Sequence, residues 1–245
     1  MAILKRKSKK PKVQPGKLIV IDGIDGTGKT TQLELLAKTL QLEGYKVQTA
    51  DFPRYTEKSS GHVQQYLNGS YGNLNPYAAS IFFAIDRFDA SGQIRQWLDE
   101  GNIVVSNRYV TANAGHQGGK LEDRLDRLKF FKWLNNLEHN IFNIPKPDLN
   151  IILHVPAVMA QQLGDKKKAS RRAYNNGKKR DMHESDLKHL KSAEQNFIEI
   201  ATLFPNTKLV ECTVKGKLLS PKQVHNKVWE LVRRIALRNL KPQIP

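Results

Sequence analysis

Eight consecutive residues, Gly23-Ile24-Asp25-Gly26-Thr27-Gly28-Lys29-Thr30, satisfy the pattern G-x-x-x-x-G-K-[ST]. Glycines in such a run let backbone N–H groups turn inward around phosphate oxygens, and the N-terminus of a following helix adds positive potential. Lys29 has the reach for β and γ phosphates, and the Thr30 hydroxyl suits Mg²⁺. The motif follows a short β-branched run and opens a helical pattern, which is the context it needs. Gly23, Ile24, Asp25, Gly26, Thr27, Gly28, Lys29, Thr30 and Thr31 therefore form the expected nucleoside triphosphate site. A glycine-rich turn with a chance lysine is the plain alternative, and the strand–loop–helix setting argues against it. Asp25 is unusual, because a carboxylate inside an anion-binding loop is electrostatically costly. It is expected to face a cation or a hydroxyl, with a turn-favouring aspartate as the simpler reading.

Three further clusters fall where strands are expected to end, the edge at which open α/β sheets bind ligands. Phe52-Pro53-Arg54-Tyr55 is the first, and Asn107-Arg108-Tyr109, continuing to Asn113 and His116-Gln117, is the second. Phe83 and Arg87 make the third, four apart on one helix face. Arginines at two strand ends suit a second phosphate gripped bidentately. An aromatic ring beside a guanidinium suits a base stacked and read along its edge. Singly, Phe83 reads as core and Arg87 as a snorkelling surface arginine; their convergence on one edge of the sheet favours a second ligand site.

The elements that must hold these residues are short. Apolar runs at 18–21, 47–50, 103–106, 149–154 and 209–213 predict five strands. Helical patterns cover 29–43, 76–98, about 121–138, 184–203 and 221–238. The second is a long helix expected to be largely buried through a stripe of Tyr77, Ile81, Ile85 and Phe88. Strands alternating with helices predict an α/β fold, a five-stranded parallel sheet with helices on both faces. We expect one domain over residues 17–245, preceded by a disordered basic tail at 1–16.

Charge is the outlying property. The 245 residues hold 40 Lys and Arg against 23 Asp and Glu, a net charge of +17, which points to a phosphorylated partner. Seven basic residues and no acidic one lie in 1–17, and eight lie in 165–180 against Asp165 alone. The second block reads as a mobile internal loop after the fourth strand. A solvated face is the plain reading of either run, and a nonspecific hold on nucleic acid through the tail is the furthest the pattern goes. No apolar run is long enough to span a bilayer, and no apolar stretch of a secretory signal is present. The single cysteine, Cys212, excludes an intramolecular disulfide framework. A cytoplasmic protein without membrane attachment is expected.

Taken in order, these motifs resemble the thymidylate kinase family of P-loop nucleoside monophosphate kinases. The carriers are the run from Ile21 to Gln32, Phe52-Pro53-Arg54-Tyr55, Phe82 to Arg87, Asn107 to Asn113, Pro145-Lys146-Pro147-Asp148-Leu149, and Asp181-Met182-His183-Glu184. They span about 17 to 235. The resemblance implies a P-loop NTPase fold, ATP and dTMP as substrates, Mg²⁺ as cofactor, and a homodimer packed through helices including the one at 76–98. By position it implies that Phe83 stacks on thymine, Arg87 bonds its O4, and Asn113 touches the base edge. Phe52, Tyr55, His116 and Gln117 would complete the acceptor site. Arg54 and Arg108 would grip the dTMP phosphate, and Asp25 would hold the sugar 3′-hydroxyl or the metal region. With glycine at 26, the family places a catalytic arginine in a lid, here about 165–183, with Arg171, Arg172 and Arg180 as candidates beside Lys29, Asp25 and Arg108. Thr30 and Asn107 would serve the metal. Asp181 and Glu184 read first as a helix cap.

Three positions depart from the family pattern. Asn107 stands where an aspartate is usual, His116 where a tyrosine lies beside the deoxyribose, and Asp22 where glutamate is usual. Losing the carboxylate at 107 is expected to weaken Mg²⁺ positioning, since an amide oxygen ligates without charge. The residues alone leave two rivals: a P-loop kinase acting on another nucleotide or a nucleoside, and a nucleic-acid-dependent NTPase.

Overall fold

The computed structural model describes residues 14–172 and 187–243. The strands are β1 (Lys17–Asp22), β2 (Val47–Asp51), β3 (Ile103–Asn107), β4 (Leu149–His154) and β5 (Thr207–Glu211). All pair in parallel in the order β2-β3-β1-β4-β5. The helices are α1 (Lys29–Leu42), α2 (Gly61–Leu67), α3 (Pro76–Asp99), α4 (Val110–Gly118), α5 (Arg124–Asn136), α6 (Ala157–Arg172), α7 (Leu187–Leu203) and α8 (Pro221–Leu231). Among the described residues no helix is long and apolar enough to cross a membrane.

β1, β3 and β4 are buried along nearly their whole length, as near-continuous apolar strands covered on both faces must be. Leu18, Ile19, Val20 and Ile21 pack with Ile103, Val104, Val105, Leu149, Ile151 and Leu153 in one core that Leu36, Leu40, Phe130, Phe197 and Val228 close from the helices. Local signals set the helix starts. Asn75 accepts from the Ala78 N–H at 2.9 Å ahead of Pro76, Asp123 accepts from Asp126 at 2.9 Å, and Ser220 and Gln223 form a reciprocal capping box. Gln14 and Gly16 are already tied to the body, bonding the carbonyls of Asn239 and Leu98 at 2.7 Å each.

Several expectations are corrected. The fifth strand begins two residues earlier than its apolar run, and the residues beyond it form a small antiparallel hairpin, β6 (Thr213–Val214) with β7 (Lys217–Leu218). α5 stops at Asn136 and passes into a wide π-helical turn over Leu137–Ile141, and α8 likewise passes into one over Val232–Ala236. α2 and α4 have no counterpart in the apolar pattern. The basic segment after β4 is not a loop at its start, because α6 runs through to Arg172. Arg180, Asp181 and Glu184 lie outside the described residues, as does the tail up to residue 13.

Of the stripe expected to be buried on the long helix α3, Tyr77 does pack on Phe130 and Trp133 against the core, but the rest faces outward. Ile81, Ile85 and Phe88 are exposed, while Ala79, Ser80, Ala84, Asp86, Arg87, Ala90, Ser91 and Ile94 face inward. Small residues let the helix lie close to its neighbours, and the charged ones are buried because they find partners.

Candidate active site

The phosphate-binding loop joins β1 to α1 at the carboxyl edge of the sheet. Gly26 (φ +89°) and Gly28 (φ +88°) are left-handed, which favours glycine. Gly26 also lies so close to the first turn of α6 that a Cβ would sit 2.0 Å from the Ala160 carbonyl oxygen. The loop is thus seated on the helix that carries the basic segment. Lys29 is buried, its ammonium donating to the carbonyls of Gly23 (3.0 Å) and Ile24 (2.8 Å) and lying 3.5 Å from Asp25 Oδ1. Burial, with Arg108 nearby, lowers its pKa to about 8. A phosphate beside it would favour the charged form.

Arg108 follows β3 and is itself left-handed (φ +64°), a costly conformation for a residue with a side chain. The kink is fastened by the Arg108 N–H to Ile21 O at 2.9 Å and by the Ser106 hydroxyl to Arg108 O at 2.7 Å. It turns the guanidinium toward the phosphate loop, where Nη2 pairs with Asp25 and Nη1 donates to His116 Nε2 at 3.1 Å. Asp25 therefore faces two cations. Burial alone would raise its carboxyl, but Arg108 and Lys29 overcome that and hold it far below the usual carboxylate range. Because arginine only donates, His116 accepts at Nε2 and carries its proton on Nδ1, toward His189 Nε2 at 3.4 Å. Burial and Arg108 hold His116 well below the usual histidine range.

Two clefts open on this centre. The larger, about 460 Å³, is lined by the loop from Asp25 to Gln32, by Asn107 and Arg108, and by Gln161, Gly164 and Asp165 of α6. Leu218, Leu219, Pro221, Val224 and Cys212 add apolar walls to it. A lining that combines a phosphate-binding loop with apolar walls suits a ligand that is charged in one part and flat and apolar in another. The smaller, about 90 Å³, is lined by Phe52, Pro53, Tyr55, Leu67, Phe83, Asp86, Arg87, Ala112, Asn113, His116 and Gln117. Asp25 and Arg108 line both.

Of the second-site residues, all but one meet in the smaller cleft. Phe83 stands half-buried there with Tyr66 edge-on to it at 6.1 Å. Asn113 donates to Ser80 O at 3.0 Å, and Gln117 accepts from the Tyr66 hydroxyl at 3.4 Å. Lys120 donates to that hydroxyl at 2.5 Å, and burial lowers its pKa to about 8. Arg87 is 2% exposed, neither a surface arginine nor free, since Nε donates to Glu138 Oε2 at 2.8 Å and Nη2 to Glu138 Oε1. Nη1 is the guanidinium nitrogen that Glu138 does not take, on a residue that lines the smaller cleft. Arg54 is the exception: Asp86, Asp89, Ser59 and the Asp86 carbonyl hold its guanidinium, and it lines neither cleft. Arg171 and Arg172 lie in the last turn of α6.

Four residues that the sequence did not single out matter here. Glu138 orients Arg87 from the π-helical turn, and Asp86 with Asp89 restrains Arg54. Asp51 accepts from Asn107 Nδ2 at 2.8 Å. Only Glu138 had no local signal at all; the others sit at a strand end or one turn along α3. Residues for a magnesium ion fit the larger cleft. Thr30 lines it, and Asn107 Oδ1 is a buried oxygen with no hydrogen-bond partner among the described residues.

The comparisons with known proteins agree with this geometry. The family model described as Thymidylate kinase matches residues 21–227. A thymidylate kinase of Mycobacterium tuberculosis is 30% identical over 187 residues, covering 75% of this chain and 85% of that protein. One from Danio rerio is 30% identical over 150 residues, covering 61% and 66%. The solved thymidylate kinase of Candida albicans shares the fold with a TM-score of 0.68 at 21% identity, covering 90% of this chain and 92% of that one. A match of that length, through every motif that lines the two clefts, makes this chain a member of the thymidylate kinase family.

Proposed function

We propose that this chain transfers the γ-phosphoryl group of ATP to the phosphate of dTMP, giving ADP and dTDP. The observation that carries the reading is the meeting of a triphosphate-sized cleft and a smaller base-sized cleft at Asp25 and Arg108. In-line transfer needs the two phosphates end to end at that junction.

Each side chain then has a task. The loop N–H groups and Lys29 hold the ATP phosphates, and Lys29 exchanges its loop carbonyls for phosphate oxygens. Arg108, shared by both clefts, neutralises charge as it spreads over the transferring group. Asp25 aligns Arg108 and is placed to accept from a sugar hydroxyl of the acceptor. Phe83 stacks on the base, Arg87 reads its edge with Nη1, and Asn113 and Gln117 border it. We assign Arg54 to the entrance of the acceptor site, where a phosphate would compete with Asp86 and Asp89 for it. No strong base is required, because the acceptor phosphate is already ionised near neutrality; the bond from its oxygen to γ-phosphorus forms as the β–γ bridge breaks toward ADP. Mg²⁺, when bound near Thr30 and Asn107, supplies charge neutralisation of the β and γ phosphates. Arg171, Arg172 and Arg180 are assigned to a lid over about 165–183 that excludes water.

The exposed face of α3, with Ile81, Ile85 and Phe88, supports a homodimer packed through that helix. A cytoplasmic location suits the reaction. ADP release coupled to an NADH readout tests the reading, with ATP, Mg²⁺ and dTMP, dUMP, dCMP, UMP or thymidine as acceptors. Strong stimulation by dTMP and none by thymidine is expected. Comparable rates with UMP would mean that discrimination against the 2′-hydroxyl is lost at His116. A chain stimulated by none of them, but by single-stranded DNA, would replace the proposal with a nucleic-acid-dependent NTPase.

A further inference from the structure

Asn107 closes β3 beside the phosphate-binding loop, where a P-loop enzyme places an oxygen toward the cation that travels with the nucleotide. An amide is ambiguous in that role. One face offers the carbonyl oxygen, the other an NH₂ group that would repel a cation, and a half-turn about the last side-chain bond exchanges them.

The strand register removes the ambiguity. Asn107 pairs with Asp51, the last residue of β2, and the Phe52 N–H donates to the Asn107 carbonyl at 3.1 Å. Asp51 Oδ1 accepts from Asn107 Nδ2 at 2.8 Å. A carboxylate only accepts, so this bond commits the amide nitrogen to the β2 side. Oδ1 is left buried, facing away from Asp51 on a residue that lines the nucleotide cleft, with no partner among the described residues. Leaving such an oxygen unpaired forfeits its solvation without return, so its natural occupant is a donor or a cation. Lys29, a candidate donor in the loop that lines the same cleft, is already held by two carbonyls and Asp25.

We propose that Asp51 is a positioning residue for the nucleotide's divalent cation: it fixes the Asn107 amide with Oδ1 toward the cleft and polarises it. The pair then divides between two strands what one strand-end carboxylate would do, the charge sitting on β2 and the presented oxygen on β3. This rests on the kinase reading of the larger cleft. A partner one bond removed from a metal's ligand typically changes affinity by about 10–100-fold, and the low end suits an oxygen that reaches the ion through water.

The test is calorimetric titration of the full chain with ATP, in Mg²⁺ and separately in EDTA, without acceptor. Wild type is expected to bind more tightly with Mg²⁺. Asp51→Asn and Asp51→Ala should bind about tenfold more weakly in Mg²⁺ and equally well in EDTA. The exchanged pair, Asp51→Asn with Asn107→Asp, should recover to within about twofold of wild type, since it returns one charge and one amide to the same two strands. Bound Mn²⁺ counted by electron paramagnetic resonance should follow the same order. Single variants that keep the whole Mg²⁺ advantage, or lose affinity equally in EDTA, would overturn the assignment, as would an exchanged pair that recovers nothing. A wild-type chain that binds ATP in neither buffer would sink the kinase reading itself, a result distinct from the others.

Discussion

Truncating Glu138 is the sharpest test of how the acceptor site is held. Glu138 is 0% exposed and Arg87 2%, and the carboxylate takes two of the guanidinium's three nitrogens. In Glu138→Ala the arginine keeps its charge and loses the one carboxylate that pairs with it among the described residues, a change that costs about 3–5 kcal/mol when both partners are buried. Against a total stability of about 5–15 kcal/mol, that is a large fraction. At roughly 2–4 °C per kcal/mol for a chain of this size, the melting temperature should fall by about 6–20 °C. The companion variant removes both charges at once, Arg87→Met with Glu138→Leu. Apolar replacements of a buried pair are often neutral or stabilising, so its melting temperature should lie within a few degrees of wild type. Yet it should bind dTMP poorly, because the guanidinium that lines the small cleft is gone. Urea unfolding followed by far-UV circular dichroism and by tryptophan fluorescence measures the loss of free energy, thermal scans give the melting temperatures, and calorimetric titration with dTMP gives the affinity. Coincident transitions with unchanged slope license the comparison. If Glu138→Ala loses under about 1 kcal/mol, Arg87 is not trapped as described. If the double variant binds dTMP normally, Arg87 does not read the base.

Other changes follow from the same geometry. Lys29→Met should leave the circular dichroism spectrum intact and lower turnover by at least about 10²–10³-fold, the scale of losing one preorganised charge contact; a rate within tenfold of wild type would remove Lys29 from the mechanism. Gly26→Ala adds a Cβ 2.0 Å from the Ala160 carbonyl oxygen at φ +89°, so ATP binding should vanish and stability drop by more than the roughly 1–2 kcal/mol of the left-handed backbone alone. His154 bonds Glu211 at 2.6 Å and Glu194 at 3.0 Å; burial works against its charge, but the two glutamates raise its pKa above 6.5, while His154 lowers that of Glu211 below 4.5. The histidine's contribution is whole below about pH 6.5 and disappears as pH rises through its raised folded value. That of Glu211 is whole above about pH 4.5 and is lost as pH falls through its lowered value. Melting temperatures across pH 5–9 should therefore decline more on the alkaline side in wild type than in His154→Gln, and parallel curves would refute the pairing.

The phosphate-binding loop was legible because its chemistry is local: glycines, lysine and threonine within eight residues, set between a strand and a helix. The central strands were legible because residues buried on both faces read as apolar runs. What escaped depends on contacts between distant residues. α4 carries few large apolar side chains, and it packs by smallness, with the Phe197 ring lying where a Cβ on Gly115 would be and Asn196 donating to the Ala114 carbonyl at 2.7 Å. Beyond Tyr77, α3 was read inside out because apolar residues need not be buried, whereas its inward charges are matched by partners far along the chain. Glu138 lies 51 residues from Arg87, and nothing near it in sequence marks it as a site residue. Arg54 was read toward a phosphate from its place after β2; that Asp86 and Asp89 flank it follows only once α3 is laid beside that strand end.

Arg108 shows why this site tolerates an acid at its centre. A left-handed arginine is costly by about 1–3 kcal/mol, and a guanidinium on a flexible stem would not by itself stay at the junction of two clefts. Three attachments fix it here: the backbone turn closed by Ile21 and Ser106, Asp25 on one terminal nitrogen, and His116 on the other. Asp25 thus lowers the repulsion between Lys29 and Arg108 while no phosphate is bound, and sets the direction of the guanidinium before one arrives. Electrostatic catalysis depends on charges that need not reorganise as the reaction proceeds. An aspartate that looks misplaced in a loop for anions is, on this geometry, what holds the shared cation still; Asp25→Asn should therefore loosen Arg108 more than it relieves any phosphate, with turnover falling even though a negative charge has left an anion site.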